Sequence, residues 1–230
     1  MTQPKHKTKK KAGIIATSSG VSSGSIIPVR PSWKDMLANY PGEAIKSEDF
    51  YAMVSDEWSK NYKKNPLSWA NTCAGRMSYA LNHSGLDLDK APKAGSFQGK
   101  DGKNYWFRVA DLKKYLKSRF KAGDVEYSLK TLSLNVTQDI FNKRVSEVKT
   151  NLLEKINGKH GIIVFEVAGW GDASGHFTLW DGNNLVYVGE GDHDNPVSPE
   201  YYFWLTRPIS QDGKVVKVVQ TSKIIYWELK

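Results

Sequence analysis

The chain has 230 residues, of which 40% are hydrophobic and 25% charged, and its formal net charge is +9. This composition is typical of a globular protein and excludes a wholly disordered chain. Residues 1–34 contain seven basic residues and no acidic ones, so all but two of the nine positive charges belong to this segment. The remainder is nearly neutral, which argues against nucleic-acid binding by the folded part.

The N-terminal segment combines a lysine cluster with a serine- and glycine-rich stretch. Residues 1–30 therefore predict a flexible basic arm, followed by one folded domain at 31–230. Glycines and serines interrupt the stretch from Ala12 to Val29, so it lacks the apolar core of a general signal peptide. No apolar run is long enough to span a membrane. We expect a protein made in the cytoplasm, without membrane insertion and without general secretion.

Apolar residues recur at helical spacing through the first two thirds of the chain. Ser32 can cap the first helix, and Pro41-Gly42 ends it. Residues 86–104, rich in Gly, Lys and Asp, predict a loop. The predicted helical stretches are 33–40, 50–62, 109–120 and 138–157. Two β segments are predicted among them, at 105–107 and 125–136.

The last third of the chain has the pattern of strands. Residues 161–167 predict a buried strand, and residues 176–180 and 185–188 predict a hairpin around Asp181-Gly182. Residues 214–229 add two more β segments. Helices followed by antiparallel strands indicate an α+β domain, with the helices packed on one side of a small sheet.

Cys73 is the only cysteine, so the chain forms no internal disulfide. It opens a further predicted helix, which Asn71 or Thr72 can cap and Gly85 ends. The partial positive charge at a helix N-terminus favours the thiolate, which is the nucleophilic form. A lone cysteine is more often a small buried hydrophobic residue, so a catalytic role requires a base elsewhere in the chain.

His176 is the best candidate for that base, because it opens a strand directly after a glycine-rich loop and small residues precede it. A third group must orient the imidazole. We predict Asp192 for this role, with Asp181 as the nearest competitor, since Asp181 lies in the turn after the same strand. The other histidines are less suitable: His6 lies in the arm, His83 is far along the cysteine helix, and His160 has no evident acidic partner.

A zinc site is the alternative use of the same region. Histidine and carboxylate ligands can hold zinc with an open position for water. No HExxH or CxxC spacing supports this alternative, and we predict no metal or other cofactor. The ligands of such a site would be His176, Asp192, His193 and Asp194.

Five blocks of residues resemble the fourth family of type VI secretion amidase effectors, in the same order along the chain. The second block contains Cys73 in the sequence CAGRMSYAL, and the fourth contains His176 in the sequence GHFTLWDG. Together the five blocks span about 31–230. An ordered set of blocks is more specific evidence than any single motif. The blocks are residues 31–41, 71–85, 105–116, 161–182 and 226–229.

This resemblance implies a papain-like NlpC/P60 fold and a Cys-His-Asp peptidoglycan amidase. Such an enzyme cleaves stem peptides between D-glutamate and meso-diaminopimelate. The family is delivered by the type VI secretion apparatus into the periplasm of rival cells, and a cognate immunity protein blocks its site. Cys73 and His176 match the family's nucleophile and base. The acid maps to Asp192, as if residues 185–189 were partly an insertion.

Two other functions remain open from the sequence. The chain could be a cell-wall binding module without catalysis, whose basic arm attracts anionic polymers. It could also be an NlpC/P60 cell-wall hydrolase that is not an effector. The sequence assigns no substrate-binding residues.

Overall fold

The computed structural model describes residues 30–171 and 173–230, together with the backbone of 17–18 and 21–22. The predicted arm at 1–30 therefore lies largely outside the described residues. Within it, β1 (Thr17–Ser18) and β2 (Val21–Ser22) pair in antiparallel fashion. No helix in the described ranges has both the length and the apolar character needed to cross a bilayer.

The helices lie close to the predicted stretches. Ser32 caps the first one, as expected, by accepting a hydrogen bond from Asp35 N. The stretch predicted at 50–62 is two helices, because Ser55 is extended (φ −156°, ψ 130°) and its side chain caps the second by accepting from Trp58 N. The helices are α1 (Trp33–Ala38), α2 (Ser47–Val54), α3 (Asp56–Lys64), α4 (Cys73–His83), α5 (Val109–Phe120), α6 (Gln138–Val148) and α7 (Glu154–Ile156).

Shorter helical turns complete the connections. A π-helical turn at Lys149–Leu153 joins α6 to α7, so the helix predicted at 138–157 is continuous but changes its pitch. Such turns insert one extra residue into the hydrogen-bond ladder. Two 3₁₀ turns, Leu67–Trp69 and Pro92–Ala94, lie before and after α4.

Five strands form the main antiparallel sheet, in the order β5-β9-β6-β7, with β8 also paired to β9. The predicted loop at 86–104 instead contains most of a small hairpin, β3 paired with β4. The two segments predicted at 214–229 are one strand of 15 residues. The strands are β3 (Ser96–Gln98), β4 (Asn104–Trp106), β5 (Val125–Ser128), β6 (Gly161–Ala168), β7 (Gly175–Trp180), β8 (Thr206–Gln211) and β9 (Lys214–Glu228).

The segment predicted to pair with β7 forms no strand. Only the bridge between Trp180 and Leu185 and one hydrogen bond from Val186 N to the β7 backbone continue the hairpin. Tyr187 N then donates to the side-chain oxygen of Thr178 at 2.9 Å instead of to a strand carbonyl. The pairing therefore ends at Tyr187, and the chain leaves the sheet.

Both faces of the sheet are covered, which corrects the expectation of helices on one side only. Side chains of a strand alternate between faces. On β6, Ile162 and Val164 pack with α1, α4 and α5, whereas Ile163 and Phe165 pack with the α6–α7 region and residues 201–205. The apolar run in β6 leaves no polar face, so a second layer has to cover it.

Polar groups on α4 fix this helix against the β3–β4 hairpin. The Ser78 hydroxyl is within hydrogen-bond distance of Trp106 O and Trp106 N, at 3.2 and 3.1 Å. Asn82 Nδ2 donates to Asn104 O at 2.8 Å. Since α4 also packs against β7, its first residue, Cys73, is held beside the start of that strand.

Candidate active site

Cys73 is the first residue of α4, as the sequence predicts. Asn71 Oδ1 accepts a hydrogen bond from Cys73 N at 3.3 Å. Thr72 is the N-cap residue but makes no side-chain capping bond, because its hydroxyl accepts from Arg76 Nε at 2.7 Å and is hydrogen-bonded to the Tyr187 hydroxyl at 2.9 Å. The residues before the thiol thus connect α4 to the segment that follows β7.

The Cys73 thiol is almost completely buried, with 1% of the residue exposed. Burial raises the pKa of the thiol to about 11, and hydrogen bonds with the backbone of Phe177 and Ala74 lower it by less. The expected thiolate is therefore absent in this conformation at neutral pH, since desolvation outweighs the helix N-terminus. The thiol becomes a nucleophile only when a base takes its proton.

His176 is the second residue of β7 and is 4% exposed. Its Nε2 lies 2.8 Å from the carbonyl oxygen of Tyr187. A carbonyl only accepts, so Nε2 carries the proton and Nδ1 keeps its lone pair. Burial lowers the pKa of His176 to about 3, so the imidazole is neutral at pH 7. Its Nδ1 could accept a proton.

The fold brings the two residues to one place. The helix α4 packs against β7, Cys73 and Phe177 belong to the same buried cluster, and Asn71 lines the same cleft as His176. In the part of the chain that the structure describes, no hydrogen bond joins the thiol to the imidazole. The resting site therefore holds a neutral thiol and a neutral imidazole that are not bonded to each other.

Among the described residues, neither predicted carboxylate is hydrogen-bonded to the imidazole. Asp192 is exposed on the loop after Tyr187. Asp181 Oδ1 accepts from Asn183 N and Asn184 N, at 2.9 and 2.7 Å, and closes the turn after β7. The acceptor on Nε2 is a main-chain oxygen. The sequence could not predict this acceptor, because every residue has a main-chain carbonyl whatever its type.

An aromatic stack extends from His176 into the loop region. The Tyr202 ring stacks with two histidines, and its centroid lies 4.4 Å from that of His176 and 4.4 Å from that of His193. The Tyr202 hydroxyl donates to Val188 O at 3.2 Å, and His193 Nδ1 lies 2.7 Å from Glu200 O. Tyr202 therefore holds both imidazoles in place. Residue spacing could not predict this role, because the partners of Tyr202 are distant in sequence.

The histidines of this stack do not form a metal centre. Within residues 30–171 and 173–230, no group of three or more His, Cys, Asp or Glu side chains is placed to hold a metal ion.

Arg76 supports the site through its contacts with Thr72 and Tyr187, and it was not predicted as a functional residue. It is 1% exposed, and its guanidinium lies 4.1 Å from the centroid of the Tyr187 ring. Its positive charge lowers the pKa of both Cys73 and His176. Its hydrogen-bond acceptors, at 2.7 to 3.0 Å, are Thr72 Oγ1 and the carbonyl oxygens of Pro41, Gly42 and Ile45.

A cleft of about 420 Å³ opens beside the imidazole of His176. Asn71 and Ala70, just before Cys73, form one side, and Trp170 from the glycine-rich loop lines it as well. The buried thiol does not line the cleft, whereas His176 does. A peptide of several residues fits a space of this size.

Comparison with known proteins gives a consistent picture. A family model described as type VI secretion system (T6SS), amidase effector protein 4 (Tae4), matches residues 69–227. A search of curated proteins found no match.

Solved structures of this family share the fold. The Tae4–Tai4 effector–immunity complex from Enterobacter cloacae matches with 23% identity and a TM-score of 0.58, covering 87% of this chain and 99% of that chain. The effector Tae4 from Salmonella typhimurium, in complex with the immunity protein Tai4 from Enterobacter cloacae, matches with 22% identity and a TM-score of 0.57, covering 87% and 100%. The structure of the effector Tae4 from Enterobacter cloacae matches with 24% identity and a TM-score of 0.57, covering 87% of this chain and 98% of that chain.

The match to the family model includes both Cys73 and His176 and covers more than half of the chain. It therefore carries the assignment, while the structural matches show the common fold. This chain belongs to the type VI secretion system amidase effector 4 family.

Proposed function

We propose that this protein is a peptidoglycan amidase in which Cys73 is the nucleophile and His176 the base. One observation carries the assignment: the neutral imidazole of His176, whose Nε2–H is held by the Tyr187 carbonyl at 2.8 Å, lines the same cleft as Ala70 and Asn71, which directly precede the start of α4 at Cys73. Family membership supports the amidase activity. The bond cleaved is that between D-glutamate and meso-diaminopimelate, and the fold is of the papain-like NlpC/P60 type.

The proposed reaction begins with proton transfer. His176 Nδ1 takes the thiol proton of Cys73, and the sulfur attacks the amide carbonyl of the substrate. The same imidazole then protonates the departing amine, and water releases the acyl group from the sulfur. Because the thiol is buried, substrate binding has to open the wall of the cleft beside Asn71 before the attack.

Asn71 and the main chain of Cys73 are placed to stabilise the oxyanion. In the resting state Asn71 Oδ1 accepts from Cys73 N at 3.3 Å. When the substrate carbonyl replaces this acceptor, Cys73 N–H and the Asn71 amide Nδ2 both become available as donors. Donors aimed at the developing charge are among the largest contributions to acyl-transfer catalysis.

Two groups compete for the role of orienting His176. The Tyr187 carbonyl holds Nε2 in the structure, and we assign it this role. Asp192 stays a prediction from the sequence. The segment that carries the Tyr187 carbonyl is held by Glu43. Its Oε1 accepts a hydrogen bond from Gly189 N at 3.2 Å.

We propose that the protein acts as an antibacterial toxin in the periplasm of a recipient cell after type VI secretion. The solved relatives include complexes with an immunity protein, which supports a cognate immunity partner for this chain. The domain at 31–230 would be the catalytic unit, and residues 1–30 a basic arm.

Digestion of purified sacculi tests the proposal. We expect the wild type to release peptides whose new termini, identified by mass spectrometry, are D-glutamate and meso-diaminopimelate. Cys73→Ala should release none while keeping the thermal unfolding midpoint within a few degrees. Binding to sacculi without any release by the wild type would instead indicate a non-catalytic cell-wall module.

Asp192→Ala distinguishes the two orienting groups. With the Tyr187 carbonyl as the acceptor, this variant should keep kcat/KM within about threefold of the wild type, because an exposed side chain without contacts contributes little. Asp181→Ala is the matched comparison. A loss on the order of 10⁴-fold in Asp192→Ala, as for triads that depend on a carboxylate, would overturn our assignment of Tyr187.

A further inference from the structure

A single cationic side chain lines the cleft beside His176, among the residues that the structure describes. It is Arg207, from β8. Its side chain is 41% exposed and lies 3.5 Å from Glu200, measured from Nη1 to Oε2. Glu190, which is exposed, also lines the cleft.

The hydrogen-bonding capacity of Arg207 is largely unused. Its Nε is buried and has no hydrogen-bond partner in the described residues. The ion pair with Glu200 occupies one end of the guanidinium only. A planar guanidinium presents five donors in a fork that matches a carboxylate. A buried donor without a partner is costly unless a ligand supplies the acceptor.

Glu200 fixes the direction of this fork. Its carboxylate holds Arg207, while its carbonyl oxygen holds Nδ1 of His193, at 2.7 Å. His193 in turn stacks on Tyr202, which stacks on His176. Arg207 is therefore tied through packed side chains to the base of the proposed reaction, and its position relative to the imidazole is defined.

We propose that Arg207 binds a free carboxylate of the peptide substrate and so selects carboxylate-bearing peptides over their amidated forms. The inference rests on the proposed function, because it concerns the substrate of the same cleft. Stem peptides carry carboxylates close to the bond that the amidase would cleave. Arg207 is a substrate-binding residue and takes no part in proton transfer.

Pairs of stem peptides that differ only in one carboxylate or carboxamide test the proposal. For one of these positions, the wild type should cleave the amidated peptide about 10- to 100-fold less efficiently in kcat/KM, as expected for the loss of a charge-assisted hydrogen bond. Arg207→Gln should cleave both members of that pair equally, with the main change in KM. Discrimination that persists in Arg207→Gln, or is absent from the wild type, would overturn the inference.

Two control variants separate substrate binding from general charge and from folding. Arg119→Gln, on an exposed position of α5, removes the same charge and should keep the discrimination. Glu200→Gln weakens the ion pair but leaves the guanidinium. This variant should therefore also keep the discrimination between the two peptides. If Arg207 served only the ion pair, the Glu200 and Arg207 variants would lose stability alike and the discrimination would not change in either.

The proposed function and this inference can fail separately. A wild type that releases no peptide from sacculi overturns the amidase assignment. In that case calorimetric binding of the acid and amide peptides to wild type and Arg207→Gln still decides the inference. Equal affinity of the wild type for both peptides would overturn it.

Discussion

Each face of the sheet contains one buried arginine, and the two are satisfied to different degrees. Arg76, on the face of α4, is 1% exposed, and Arg144, on the face of α6, is 4% exposed. In the described residues neither pairs with a carboxylate. Arg76 uses Nε and both terminal nitrogens and lies over the Tyr187 ring. Arg144 bonds to Lys130 O and Thr221 O, and its Nε has no partner in the described residues.

The two arginines differ in how completely hydrogen bonds compensate their buried charge. Burial lowers the pKa of Arg144 to about 10, which is the mark of a cation with incomplete compensation. Arg144 joins a loop to β9 through Lys130 O and Thr221 O. Arg76 joins the start of α4 to Tyr187, whose carbonyl orients His176. The better satisfied arginine is thus the one on which the site geometry depends.

Replacement of Arg76 should have the largest effect. Arg76→Met leaves three buried or half-buried carbonyls without their guanidinium donor and removes one of the two partners of the Thr72 hydroxyl, so we expect a loss of about 3–5 kcal/mol in the free energy of unfolding. Amidase activity should be lost as well, because Tyr187 is no longer held. Urea unfolding and sacculus digestion measure the two effects. Retained activity in the folded variant would separate Arg76 from the site.

Replacement of Arg144 should have a smaller effect that is confined to stability. Arg144→Met removes a partly unsatisfied cation and frees two carbonyls, so we expect a loss of about 1–3 kcal/mol. The folded fraction should keep the wild-type kcat/KM. The same urea and digestion assays apply. A loss of activity equal to that of the Arg76 variant would remove the functional distinction between the two faces.

The pH dependence of stability should report the buried imidazole of His176. His176 has a pKa of about 3 in the folded protein, against about 6.5 in an unfolded chain. Between these values the unfolded state binds one more proton, so stability is full above about pH 6.5 and falls as the pH is lowered, by at most ~1.4 kcal/mol per pH unit. Urea unfolding from pH 7 to 4 measures this slope.

The matched variant for this titration is His176→Gln, which keeps a polar side chain without the titrating group. Its stability should fall less steeply over the same pH range. Equal slopes in the two proteins would mean that the folded imidazole takes up its proton as readily as the unfolded one. The neutral base assumed in the proposed mechanism would then lose its support.

Local patterns predicted most elements of the fold. The α5 helix matches the predicted range 109–120 because its apolar spacing and its packing agree, and Ser32 caps α1 as its position indicates. The break at Ser55 and the loss of the strand at 185–188 were missed. In both cases a side chain, Ser55 itself or Thr178, takes a backbone hydrogen bond that a regular element would use.

The sequence by itself determined that Cys73 begins a helix and that His176 begins a strand, and the family blocks connected them. Only the tertiary structure decided their chemical state and their supports. Burial raises the pKa of the thiol and lowers that of the imidazole, and a main-chain carbonyl accepts the hydrogen bond from the imidazole. The physical reason is that desolvation and backbone acceptors depend on contacts between distant parts of the chain, which residue types and spacing do not encode.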